Sequence, residues 1–145
     1  MVIVSPTPNF FVKSFSGFDA VALSTGSNVV DAGPGSNFLV GETGADTFFL
    51  NGTHGDVVWD TIVNFHAGDH ATLFGFHAGI STFTWADNDG AAVYTGRTLH
   101  ADLNQTGQVR ASLTFSGTTS VDTVRFVVGV GTVGGIDYLF VYNPG

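Results

Sequence analysis

The sequence predicts an all-β protein: a short parallel β-roll, wound as a solenoid and capped by an antiparallel β-sheet. Three observations carry that prediction. Glycine recurs every nine residues between positions 17 and 44. After residue 76 apolar and polar residues alternate with a period of two. The composition joins 20 glycines to 14 Phe, 3 Tyr and 2 Trp in 145 residues, which suits short strands linked by tight turns around a packed core.

The repeat is explicit when residues 14–49 are written in nines: SFSGFDAVA, LSTGSNVVD, AGPGSNFLV, GETGADTFF. Position four is always glycine: Gly17, Gly26, Gly35 and Gly44. Glycine admits the positive φ that a tight turn demands. Position six is always Asp or Asn: Asp19, Asn28, Asn37 and Asp46. Each offers a short side-chain oxygen held close to the backbone. Position eight is always apolar: Val21, Val30, Leu39 and Phe48. That residue points inward from a short strand. One unit is a turn plus a strand, and two units make one coil. A single coil buries little area, so the coils must stack and the ends must be covered.

The pattern resembles the G-G-x-G-x-D-x-U-x nonapeptide of RTX, or haemolysin-type, calcium-binding repeats. The segment from Asp60 to Phe76, DTIVNFHAGDHATLFGF, is similar to the stretch that closes the β-roll in serralysin-like secreted proteins. The resemblance covers residues 14–76 well and the rest loosely. It implies calcium between the turns of successive coils, held by turn carbonyls and by position-six side chains two units apart. On this sequence Asp19 pairs with Asn37, Asn28 pairs with Asp46, and Asp60 serves at the closing end. Gly17, Gly26, Gly35 and Gly44 supply the turn backbone. The chain departs from the family in two ways. Each pair holds one carboxylate instead of two, and Leu23-Ser24 and Ala32-Gly33 replace the leading double glycine. Calcium affinity follows ligand charge, so binding is expected to be weak, on the order of 10⁻⁴–10⁻³ M. The competing expectation is a metal-free roll in which Asn side chains hydrogen-bond along the stack.

The chain therefore divides into a lead-in at 1–13, a roll with its closing segment at 14–76, and an antiparallel cap at 77–145. In the cap, Phe83 and Trp85 alternate with threonines, and Val109 to Phe115 alternate in the same way. Residues 123–130 and 138–142 read as further strands. Asp87-Asn88-Asp89-Gly90 and Asn104-Gln105-Thr106-Gly107 read as turns. Asp102 and Asn104 suggest a second cation site, although an ordinary Asp/Asn turn is the simpler reading. The apolar, weakly charged C-terminus resembles the uncleaved export signal of type I secretion.

Charge narrows the partners. Four basic residues oppose twelve acidic ones, for a net charge of −8. Nucleic-acid binding requires the opposite sign, and an anionic membrane surface is disfavoured for the same reason. No apolar run approaches the ~20 residues that span a bilayer, so no membrane insertion is expected. Cysteine is absent, which removes disulfides and thiolate metal sites.

No catalytic residue is expected, and the chain does not read as an enzyme. His66 and His70 have zinc-helix spacing, but Gly68 lies between them in a β context and the catalytic Glu of that motif is missing. There is no Gly-x-Ser-x-Gly elbow. Together these readings describe a calcium-binding, secreted module of a larger protein, passed out by type I secretion machinery and folded outside by calcium. The alternative is a carbohydrate-binding module in which Trp85, Asp87 and Asp89 take a polysaccharide.

Overall fold

The computed structural model describes residues 1–4 and 7–145. Eight short strands come first: β1 (Val2–Val4), β2 (Phe11–Lys13), β3 (Ala20–Ala22), β4 (Val29–Asp31), β5 (Phe38–Val40), β6 (Thr47–Asn51), β7 (Val58–Val63) and β8 (His70–Phe74). Five more follow: β9 (Thr82–Asp89), β10 (Gly96–Asp102), β11 (Ala111–Ser116), β12 (Val127–Val133) and β13 (Ile136–Tyr142). A single helical turn, α1 (Ser120–Thr123), lies between β11 and β12. No helix among the described residues is long and apolar enough to cross a membrane.

Successive strands of the first half alternate between two sheets. In one sheet β1, β3, β5 and β7 pair in parallel, and in the other β2, β4, β6 and β8 do so. The register follows the repeat, with Val21 opposite Leu39 and Val30 opposite Phe48. The position-eight column is the inner face: Val21, Val30, Leu39 and Phe48 are all buried. Each such side chain contributes about 1.5–3 kcal/mol by leaving water. Residues 1–13, expected as a lead-in, carry β1 and β2, which pair in register with β3 and β4. Val12 is buried in the same column. The turns stack as closely as the strands. Gly35 has φ +130°, and a Cβ there would overlap the carbonyl oxygen of Gly17 in the coil before.

The second half was expected as an antiparallel sheet covering the roll, and its arrangement differs. It divides between the two existing sheets and makes both mixed. β9, β10 and β11 form an antiparallel meander whose last strand joins β7 in parallel. β12 and β13 form a hairpin that joins β8 antiparallel. The final order is β1-β3-β5-β7-β11-β10-β9 in one sheet and β12-β13-β8-β6-β4-β2 in the other. The physical reason is that β7 and β8 ended the parallel stacks with unpaired edges, and strands added there satisfy them. Phe115 is the apolar hub of this half. It is fully buried, and its ring lies 4.7 Å from that of Phe65 and 5.4 Å from that of Phe126.

Candidate functional site

The position-six side chains stand where each turn enters a strand, and all are buried. These side chains meet the backbone of the neighbouring strand of the same sheet, at spacings of 18 and then 23 residues, and two ladders form. In the first, Asp19 N donates to Asn37 Oδ1 at 3.2 Å, and Asn37 N donates to Asp60 Oδ1 at 2.9 Å. In the second, Asn28 N donates to Asp46 Oδ1 at 3.0 Å, and Asp46 N donates to Asp69 Oδ1 at 2.8 Å. Each side chain thus reaches back to the backbone of the coil before it. The terminal ammonium of Met1 takes the top place in the first ladder, 2.8 Å from Asp19 Oδ1. That hydrogen bond holds the Asp19 carboxyl below the usual range.

The expected pairs, Asp19 with Asn37 and Asn28 with Asp46, are therefore together, and Asp60 continues the first. They touch directly. The Asn28 amide Nδ2 donates to Ser24 O at 2.7 Å, to Gly26 O at 3.2 Å and to Asp46 Oδ1 at 2.9 Å. Two turn carbonyls and a carboxylate around one amide NH2 form the kind of oxygen set a cation would use. Asn37 repeats this with Gly35 O at 3.4 Å and Asp60 Oδ1 at 3.0 Å.

The second ladder changes character at its lower step. Asp46 and Asp69 succeed each other there with no amide side chain between coils. Both are fully buried. Asp46 Oδ2 accepts from Glu42 N at 3.2 Å, and Asp69 Oδ2 accepts from His66 N at 2.9 Å. Burial pushes the Asp69 carboxyl up to about 6, and the neighbouring Asp46 charge adds to the rise. Burial likewise pushes Asp60 up to about 7, against two hydrogen bonds from Asn37. A buried carboxylate without a full counter-charge raises its pKa in this way. Asp69 was not among the expected ligands. Its signal is nevertheless present, because it lies nine residues beyond Asp60 and so keeps the repeat spacing.

Among the described residues, no three His, Cys, Asp or Glu side chains gather as a metal cage. A cation at the corners would draw on turn carbonyls as well as carboxylates. His66 and His70 go separate ways: His66 Nδ1 lies 3.0 Å from Asp69 Oδ2, whereas His70 stacks on Tyr142 with ring centroids 4.2 Å apart. Asp102 accepts from the backbone N–H of Asn104, Thr106 and Gly107 at 3.3, 3.1 and 2.6 Å, the pattern of a side-chain-closed turn.

The residues named for polysaccharide binding are not gathered on one face. The Arg97 guanidinium lies over the Trp85 ring, 5.4 Å from its centroid, and pairs with Asp87 at 2.8 Å. Asp89 turns instead to His100, after a register shift between Gly96 and Thr98. An aromatic surface lies elsewhere, on the outer side of the β8–β13 pair. There Phe49, His70, Phe74, Tyr138 and Phe140 line a hollow of about 520 Å³.

No family model matches the chain, and no curated protein or solved structure does so either.

Proposed function

We propose that this chain is an RTX-like β-roll module of a secreted protein, and that it binds calcium at the Asp46–Asp69 corner. The observation that carries this reading is the difference between two steps of one ladder. At the upper step the neutral Asn28 amide supplies the N–H donors that two carbonyls and Asp46 surround. At the lower step Asp46 itself takes the place of the amide, so two buried carboxylates, Asp46 and Asp69, succeed each other and call for positive charge; burial, with the Asp46 charge adding to it, raises the Asp69 pKa. A divalent cation would supply that charge. Asp46, Asp69 and carbonyls of the adjoining turn would hold it, and Asp60 offers a weaker second position. The stack elsewhere is closed by its own hydrogen bonds, so few ions are required.

Calcium would favour the roll because it binds the folded chain and not the unfolded one. In this reading the module stays loose where calcium is scarce, passes through a type I exporter, and winds up outside. With a dissociation constant near 10⁻⁴ M, 10 mM calcium adds about 2.7 kcal/mol. Thermal melts at pH 8 with 10 mM calcium and with chelator test this. A rise of several degrees is expected, reduced by at least half in Asp69→Asn. Superimposable melts of the native chain would remove the calcium reading. At pH 5 the gain should shrink, because protons then occupy Asp69 and Asp60.

Polysaccharide binding stays as a second reading, favoured by the aromatic hollow and not by Trp85. Aromatic faces with a hydroxyl at the rim, as on Tyr138, suit sugar rings. Retention of Tyr138→Ala equal to the native chain in an insoluble-polysaccharide pull-down would dismiss it.

A further inference from the structure

On the outer face of the β9–β10–β11 meander, three side chains far apart in sequence form a hydrogen-bonded line. His100 lies on β10 directly opposite Ser112 on β11. Its Nδ1 is 2.7 Å from Ser112 Oγ, and its Nε2 is 2.7 Å from Asp89 Oδ2. The protonation pattern follows from the chemistry. An ionised carboxylate can only accept, so the ring proton sits on Nε2 and points at Asp89. In the neutral ring Nδ1 is a lone pair facing Ser112, whose hydroxyl donates to it. Asp89 is kept ionised, chiefly by its bond from His100 and also by Gly90 N–H. The Trp59 ring meets the imidazole edge-on at 5.3 Å and fixes its plane. Trp59 also lies beside Ser112 in the β7–β11 register.

From this arrangement we propose that Ser112 is an activated nucleophile, with His100 as its general base and Asp89 as the positioning residue, acting on neutral carboxylic esters. A sequence motif cannot show this, because the three residues come from three strands. The logic is that of any nucleophile, base and orienting acid within hydrogen-bond reach. A neutral ester is the fitting class because Asp89 and the net charge of −8 repel anions. A shallow hollow of about 390 Å³, lined by Trp59, Thr61, Gly90 and Ala91, adjoins the relay and offers an apolar wall for the acyl group.

In the first step Ser112 Oγ bonds to the ester carbonyl carbon and passes its proton to His100 Nδ1. The carbon–oxygen bond to the alcohol then breaks, and the alcohol leaves with that proton. Water next attacks the acyl-serine, giving one proton to His100. The carboxylic acid departs, and the proton returns to Ser112 Oγ. Base assistance of this kind contributes about 10²–10⁴-fold. Ser112 is only 5 % exposed, so small acyl groups are expected to react before long ones.

The test uses the whole chain with p-nitrophenyl acetate and a small fluorophosphonate. One equivalent of phosphonate should add, and peptide mass spectrometry should place it on Ser112. Absence of label, or label on another residue, overturns the proposal without any variant. Ser112→Ala should abolish p-nitrophenol release, and His100→Ala should slow it at least tenfold. Asp89→Asn should slow it at least tenfold at an unchanged melting temperature, with Asp89→Glu recovering part of the rate. Release by Ser112→Ala equal to that of the native chain would also overturn it.

Discussion

The two halves of the molecule build the same pair of sheets by different means. In the first half every strand has its neighbour two strands away, and the Asp and Asn side chains of the repeat stand at strand ends. There the backbone of the adjoining coil supplies the donors, as Asn28 N does for Asp46. In the second half the strands run back and forth, and polar side chains lie across a sheet face. There side chains also satisfy one another from strand to strand, as His100 does with Ser112 and Asp89. A polar group at a strand end becomes part of a scaffold. A polar group on a sheet face is reached by side chains of the strands beside it.

Four changes sharpen or break that contrast. The largest effect belongs to Phe115→Ala, which should cost about 3–5 kcal/mol in urea denaturation, because the ring is fully buried against Phe65, Trp85 and Phe126. A cost under ~1 kcal/mol would show that the second half has no core of its own. Next is Asp46→Ala, expected to cost about 3 kcal/mol. It strips the acceptor from the buried Asn28 N and from Glu42 N, removes one of three from Asn28 Nδ2, and leaves a buried orphan that costs about 1–3 kcal/mol, offset in part by relief of Asp69. If it proves as mild as an ordinary surface change, the ladders are not what holds the coils.

The third change concerns pH. The Asp60 carboxyl titrates near 3.8 unfolded and about 7 folded. Its stabilising proton is therefore fully in place below pH 3.8 and is lost as pH rises through about 7. Without calcium, the native chain should weaken between pH 5 and 8. Asp60→Asn keeps an acceptor for Asn37 but carries no charge. It should be nearly neutral at pH 5 and more stable than the native chain at pH 8, by ~2 kcal/mol. Parallel stability curves for the two chains would contradict the raised pKa. The smallest effect is Lys13→Ala. Its pair with Asp31 at 3.4 Å is largely exposed, so a change under about 0.5 kcal/mol is expected in the same denaturation series.

The first half was legible because its columns are local. Gly17, Asp19 and Val21 state a turn, a corner and a core position within five residues, and the register follows from repetition. Legibility failed where a column was interrupted. Before residue 14, Pro8 and Phe10 stand where glycine and Asp/Asn would be, so only Val12 marks the coil that β2 completes. After Asp46 an insertion pushes the next corner to Asp60. The nine-residue spacing then resumes at Asp69, a restart that a continuous frame overlooks. In the second half alternation tells which face a residue occupies but not which strand lies beside it. Nothing near Phe83 or Leu139 says that one meander joins β7 and the other hairpin joins β8. The line from Asp89 to Ser112 depends on that register, and so it emerges only from the folded chain.

Both sheets begin at the same coil, with β1 and β2 as their outermost strands. Val2, Val4 and Phe11 are largely uncovered there. Unlike the far end, where longer strands finish each sheet, this end is a growth front. A further turn of chain with the same spacing would gain backbone bonds on both sheets at once and extend the inner column by the same increment.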